Sequence, residues 1–297
     1  MPRSWRLAEG QFHLGLAAWA FAGWRGRYFP AHGPTLAAYS SVFGCVEGNT
    51  TFYSLPSAAL VARWQQELEQ RPGAREFHFC FKLPRAITHR RGQPDVRLLA
   101  EFFARLAPLE PWFGAFMVQL PASVGPADIV AVDALLALLP RRFRYVIEAR
   151  HPELFSPPWA QVWLQMLAGQ GCTRVILDSR PVAADRPAHP DIAAAVHAKP
   201  SLPVLPDAPG ERVLVRLICH PLATQNAPFM HEWSARIAAW LAAGTHCHFM
   251  VHCPNDLHSP ELARLFHELI APLIGAPPLP AFPAGPASPR AQLSLDW

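Results

Sequence analysis

The sequence predicts an α/β protein built as a single (β/α)8 TIM-type barrel, and three observations carry that expectation. Eight short apolar runs recur along the chain, helical patterns separate most of them, and the alternation fits within residues 1–275 of the 297. Runs of this length are too short for buried helices and suit strands covered on both faces.

The first run is His13–Ala18, followed by Cys45–Asn49. Ser57 then reads as a cap for a helix over Ala58–Gln70. Phe77–Lys82 is the third strand, with a helix over Val96–Ala107 behind it. Ala115–Leu120 and Tyr145–Arg150 flank a helix over Asp128–Leu139, and Trp159–Ala168 leads to the sixth strand, Arg174–Asp178. Arg212–Ile218 and His248–Cys253 complete the eight, with helices over Met230–Ala243 and Pro260–Ile274. The last carries proline in its first turn behind Ser259.

Two stretches break the alternation. Residues 181–210 hold seven prolines and only a brief helical pattern around Asp191–Ala198, so a long loop, a candidate lid, follows the sixth strand. Residues 276–291 read as a proline-rich linker that carries a terminal peptide, 292–297, away from the barrel domain of residues 1–275.

Composition narrows the function classes. A chain that is 51% hydrophobic and 16% charged buries a large core, and 33 prolines exclude a coiled coil or helical solenoid. A net charge of +4 without a concentrated basic run does not specify a nucleic-acid partner, so direct nucleic-acid binding stays open. No window resembles a membrane span or signal peptide, and no membrane partner is expected. Six cysteines without a CxxC pair suit reduced thiols in a cytoplasmic protein.

Side chains of barrel strands alternate between lumen and helix layer, and ligands bind at the strands' C-terminal ends. Phe77, Phe79 and Phe81 take one face, so Lys82 points inward at the mouth. Glu47 with Asn49, Gln119, Glu148 with Arg150, Asp178 and Arg216 are placed there likewise, with His89 and His151 just beyond strand ends and Trp19 nearby. Buried charges are costly unless paired, so this ring reads as a built site. Three carboxylates facing three cations suit a small anionic or phosphorylated ligand better than a bare metal cage.

The strings Gly15-Leu-Ala-Ala-Trp19, Val46-Glu-Gly-Asn-Thr-Thr-Phe-Tyr-Ser-Leu-Pro56, Phe79-Cys-Phe-Lys-Leu-Pro84 with Ile87-Thr-His89, Gln119-Leu-Pro121 and Glu148-Ala-Arg-His151 resemble the YecE-like family, domain of unknown function DUF72. The resemblance runs from about residue 13 to 220. It implies a TIM-type barrel and leaves the activity unassigned. The chain departs from the family pattern at Arg216-Leu-Ile-Cys-His220 and at His252-Cys253.

The expected function is a hydrolase or lyase acting on a phosphorylated or nucleic-acid-derived substrate. Glu47, Glu148 and Asp178 are its candidate catalytic carboxylates. Asn49, Lys82, His89, Gln119, Arg150, His151, Arg216 and Trp19 are its candidate binding residues. No cofactor is assigned; a divalent metal stays open, with His220, His252 and Cys253 as the alternative ligand set. The competing reading is a non-catalytic adaptor. Its Gln292, Leu293, Leu295 and Trp297 resemble the short peptides that dock on the bacterial DNA sliding clamp.

Overall fold

The structure is a computed structural model that describes residues 4–71, 73, 76–90, 92–184, 191–192, 202–205 and 210–284. The terminal peptide 292–297 and most of the expected helix at Asp191–Ala198 lie outside the described residues.

Nine strands form one sheet. A short strand, β1 (Trp5–Leu7), pairs antiparallel with β2 (Gly10–Leu16). Strands β2 to β9 then build a nearly closed parallel barrel: β3 (Cys45–Gly48), β4 (His78–Phe81), β5 (Ala115–Gln119), β6 (Arg144–Glu148), β7 (Thr173–Asp178), β8 (Arg212–Ile218) and β9 (His246–His252). The β4–β5 seam is the weakest join. It is bridged by Gly114 N–H donating to the Phe79 carbonyl at 2.8 Å and Leu83 N–H to the Met117 carbonyl at 2.9 Å.

Every barrel strand overlaps an expected run, and the six expected helices form over Ala58–Glu69, Val96–Leu106, Ile129–Ala137, Trp159–Gly169, Ala227–Ala242 and Ser259–Ile274. Ser57 and Asp95 cap the first two through their side chains, accepting from Leu60 N–H at 3.2 Å and Leu98 N–H at 3.0 Å. The expected Ser259 cap does not form. The last helix begins at Ser259 behind His258, and Ser259 Oγ is buried without a hydrogen-bond partner among the described residues.

The alternation of side chains divides the apolar core in two. Phe77, Phe79, Phe81, Phe116, Val215 and Phe249 pack outward under the helices, with Trp64, Trp163, Trp233 and Trp240 among their partners. Cys45, Cys80, Ala115, Met117, Val146, Val175, Leu214 and Met250 fill the lumen. The proline-rich segment is not a free linker from residue 276. Residues 276–284 dock on the barrel: the Phe282 ring centroid sits 5.0 Å from Tyr28 and 6.0 Å from Phe29, and the Arg264 guanidinium covers Phe282 at 4.2 Å. Arg264 also donates to the Leu279 and Pro280 carbonyls, so aromatic burial and carbonyl capping hold a segment whose prolines forbid a helix.

Candidate functional site

The lumen is polar at both ends. At the mouth, β3, β4, β6, β8 and β9 converge on one ionic network, because each places an inward residue within two positions of its C-terminal end. Arg216 grips Glu47 with two bonds, Nε to Oε2 at 2.8 Å and Nη2 to Oε1 at 3.0 Å. Its remaining terminal nitrogen, Nη1, makes a short hydrogen bond to Glu148 Oε2. Lys82 Nζ lies 2.8 Å from Glu47 Oε1 and donates to Gln119 Oε1 at 2.8 Å. His252 Nε2 sits 3.1 Å from Glu47 Oε2. Arg150 closes the ring, Nε donating to Glu148 Oε1 at 2.7 Å.

Burial makes these contacts strong. Glu47 is fully buried, Glu148, Lys82 and Arg216 nearly so, and only the Arg150 side chain keeps 21% of its surface open. Burial alone pushes the Glu47 carboxyl up, but Arg216, then Lys82 and His252, override it and hold it well below the usual carboxylate range. Glu148 behaves alike: burial raises it, while Arg216, Arg150 and Lys82 bring it down to about 2. Lys82 is lowered to about 8 by burial and by Arg216, against the pull of Glu47 and Glu148. Both carboxylates are therefore held ionised at neutral pH, and Lys82 is brought towards neutrality.

A cavity of about 800 Å³ reaches Glu47 and Asn49 from the surface between the β2 end and the helix over Ala58–Glu69. Trp19, Trp64 and Phe21 form its apolar wall, and Arg25, Arg63 and Glu67 are polar lining. Trp19 is held edge-on against Trp64, with centroids 5.1 Å apart. Asn49 Nδ2 donates to the Ala17 carbonyl at 2.7 Å, pinning the β2 end to the β3 end.

The structure thus brings together Glu47, Lys82, Gln119, Glu148, Arg150 and Arg216, with Asn49 and Trp19 beside them. Asp178 is not brought in. The inward residues of β7 are Val175 and Leu177, so Asp178 faces the helix layer, where it accepts from Trp233 Nε1 at 2.8 Å and from Arg180 Nη2 at 2.8 Å. With Asp178 removed, the network among the described residues counts two carboxylates, Glu47 and Glu148, against three cations, Lys82, Arg150 and Arg216, one positive charge in excess. His89 stands at the rim against Phe52, 5.2 Å between centroids, and its Nδ1 is 3.0 Å from Thr88 Oγ1. Phe52 in turn lies under Lys82 at 5.7 Å. His151 is directed away, its Nδ1 accepting from Glu153 N–H at 3.4 Å and its ring against Gly125.

His220, His252 and Cys253 do not form a ligand cluster. His220 Nδ1 accepts from Leu222 N–H at 2.9 Å, His252 is engaged with Glu47, and Cys253 Sγ is 3.8 Å from Asn255 Oδ1. Part of the expected lid is described: Val182 and Ile192 pack on Leu177 and Ile218 over the β7 and β8 ends, and Asp191 Oδ2 accepts from Asn255 Nδ2 at 2.6 Å.

At the opposite end, β2, β4 and β9 point His13, His78 and His248 inward. His78 Nδ1 is 3.0 Å from His248 Nε2, and the His13 ring stacks on both, at 4.1 Å from His78 and 4.8 Å from His248. Among the described residues these three alone form a group with metal-ligand proximity. Burial is the first cause that lowers all three. It leaves His78 at about 4 with help from Arg212 and His246, and His13 and His248 well below the ordinary imidazole value. The signal was in the sequence: the parity that turns Lys82 inward turns His78 inward too, four residues nearer the base.

A family model described as "Protein of unknown function DUF72" matches residues 13–284. The chain belongs to the DUF72 family. It is 36% identical over 276 residues to the UPF0759 protein YecE of Escherichia coli K12, covering 91% of this chain and 97% of that protein, and 35% identical to its counterpart in E. coli O157:H7 over the same length and shares. Solved DUF72 structures share the fold. One from Enterococcus faecalis V583 superposes with a TM-score of 0.67 at 18% identity, covering 87% of this chain and 95% of that one. One from Thermotoga maritima MSB8 gives 0.65 at 18% identity, covering 87% and 98%. Of His220, His252 and Cys253, it is His252 that joins the mouth network. No helix among the described residues is long and apolar enough to cross a membrane.

Proposed function

We propose that the barrel mouth binds a small substrate carrying a phosphate or carboxylate, nucleic-acid-derived compounds included, and acts on it as a hydrolase or lyase. The observation that carries this reading is the placement of Arg216 between Glu47 and Glu148, in a buried network with one cation in excess and a cavity reaching Glu47. An anion balances the surplus charge. Arg150, the most open cation of the ring, meets it first, and Lys82 and Arg216 hold it deeper. Asn49, Gln119 and His89 orient it.

In this mechanism Glu47 and Glu148, both ionised, serve as bases or stabilise developing positive charge. Lys82, lowered to about 8, supplies or takes the proton that moves near neutral pH. Six free, buried cysteines suit work in a reducing, cytoplasmic setting. The test is a turnover screen across phosphate esters and small carboxylic acids. Glu148→Gln should abolish the turnover found while the far-ultraviolet circular dichroism stays unchanged; full turnover in that variant sinks the assignment.

Recruitment is a separate part of the proposal. Gln292, Leu293, Leu295 and Trp297, behind a proline-rich spacer, suit the peptide groove of a DNA sliding clamp. Pull-down of the clamp by the full chain and by a chain ending at residue 289 tests it, and equal recovery counts against it.

A further inference from the structure

We propose that His13, His78 and His248 form a structural site for one divalent transition-metal ion of the zinc type, at the end of the barrel opposite the mouth. The three imidazoles come from β2, β4 and β9, and one ion held there would tie together strands far apart in sequence. Their nearest ring nitrogens all lie within 4.8 Å of one another, and the His78–His248 pair is already at 3.0 Å. In a tetrahedral zinc site, bonds of about 2.0–2.1 Å set neighbouring nitrogens roughly 3.4 Å apart. Closing the trio therefore asks His13 to turn out of its stack by up to about 1.4 Å, a rotation within the reach of one side chain.

Two further observations point to a ligand. His13 is 1% exposed, and among the described residues its buried Nδ1 has no hydrogen-bond partner, a costly state for a ring nitrogen unless something binds it. The chain also keeps the space beside the trio clear. A Cβ on Gly114 would stand 3.2 Å from His248 Nε2, 3.2 Å from His78 Cβ and 3.1 Å from Cys80 Sγ, so a larger residue there would press on the ligands.

Neutral imidazoles without carboxylates select zinc, cobalt or nickel over magnesium or calcium. Three protein ligands leave a fourth position. His78, the least buried of the three, marks the side from which an ion and its water would enter. Arg212, close enough to both His78 and His248 to disfavour their protonation, favours an anionic fourth ligand such as hydroxide or chloride. The enclosed position, away from the substrate cavity, makes the role structural.

The experiment uses the untagged full chain, stripped with EDTA, and zinc chloride as the probe. Expected are one equivalent of zinc retained through gel filtration and an affinity at least about tenfold lower in His13→Gln and His78→Gln. His32→Gln, which alters an exposed loop histidine, should leave that affinity unchanged. Anomalous diffraction at the zinc edge from crystals of the unaltered chain should place the ion among the three rings, which keeps the test decisive if a variant fails to fold. Less than one retained equivalent, undiminished affinity in His78→Gln, or an anomalous peak elsewhere overturns the proposal.

Discussion

The two ends of one lumen bury polar groups in opposite ways. At the mouth, five ionised side chains satisfy one another through Arg216, and the desolvation of each is offset by the field of the others. At the base, three imidazoles shed their protons and stack. The comparison teaches where the barrel is brittle. Removing one member of a charge network strands its partners as buried ions, whereas removing one neutral ring strands at most a single polar atom.

The largest expected effect therefore sits at the mouth. Arg216→Met leaves Glu47 and Glu148 without their shared partner and should destabilise the fold by about 3–5 kcal/mol. In metal-free protein, His248→Leu at the base should cost only about 1 kcal/mol. Urea unfolding of the two variants measures the contrast. Equal costs would mean that the network is better hydrated than its geometry implies.

Acidification separates the ends by pH, in metal-free protein with EDTA present. His78 is lowered to about 4 from an ordinary 6.5, so the unfolded chain takes the proton first. Its contribution is intact above 6.5 and lost as pH falls towards 4. Glu148 is lowered to about 2 from 4.5, so its contribution is intact above 4.5 and lost as pH falls towards 2. Fully developed, each amounts to on the order of 3 kcal/mol. The base should weaken before the mouth: between pH 7 and 5, His78→Gln should flatten the fall in stability measured by urea unfolding. Glu148→Gln should leave that slope alone, and a slope lowered by Glu148→Gln alone would reverse the assignment.

Packing draws a finer distinction. Gly114→Ala drives a methyl into the histidine layer from three sides and should cost about 1–2 kcal/mol, read as a lower Tm. Gly125→Ala, near the mouth, meets only the His151 ring at 3.0 Å. That ring is part-exposed and can turn aside, so the loss there should be smaller. A greater loss at Gly125 would show the mouth loops to be the tighter packed.

The barrel was legible because an enclosed parallel strand must be apolar on both faces, which leaves eight short runs that few other folds could use. The mouth was legible by parity, since Glu47, Lys82, Glu148 and Arg216 each stand on the inward face near a strand end. What escaped did so for physical reasons. Phe282 docks residues 276–284 through rings distant in sequence, which proline content alone does not reveal. The histidine trio lies at the strand ends away from the ligand face, where a lone histidine in an apolar run reads as packing. Asp178 occupies a strand end but shares parity with Arg174 and Ile176, so position alone misplaced it, whereas counting from Val175 turns it outward.

Asp178 supplies the smallest and most discriminating substitution. Its Oδ1 accepts from Arg180 N–H at 2.9 Å and its Oδ2 from Trp233 Nε1 at 2.8 Å, tying the β7 end to the helix over Ala227–Ala242. Asp178→Asn keeps one acceptor oxygen and the shape but gives up the charge, so the loss should be about 1 kcal/mol, visible as a small drop in Tm. The network centred on Arg216 does not include this carboxylate, so affinity for a mouth ligand and any turnover should match the unaltered chain. The same exchange at Glu148 should remove turnover. If Asp178→Asn abolished activity in a folded protein, the division between lumen and helix layer would fail as a guide to which carboxylates do chemistry, because both strand ends would then act as one site.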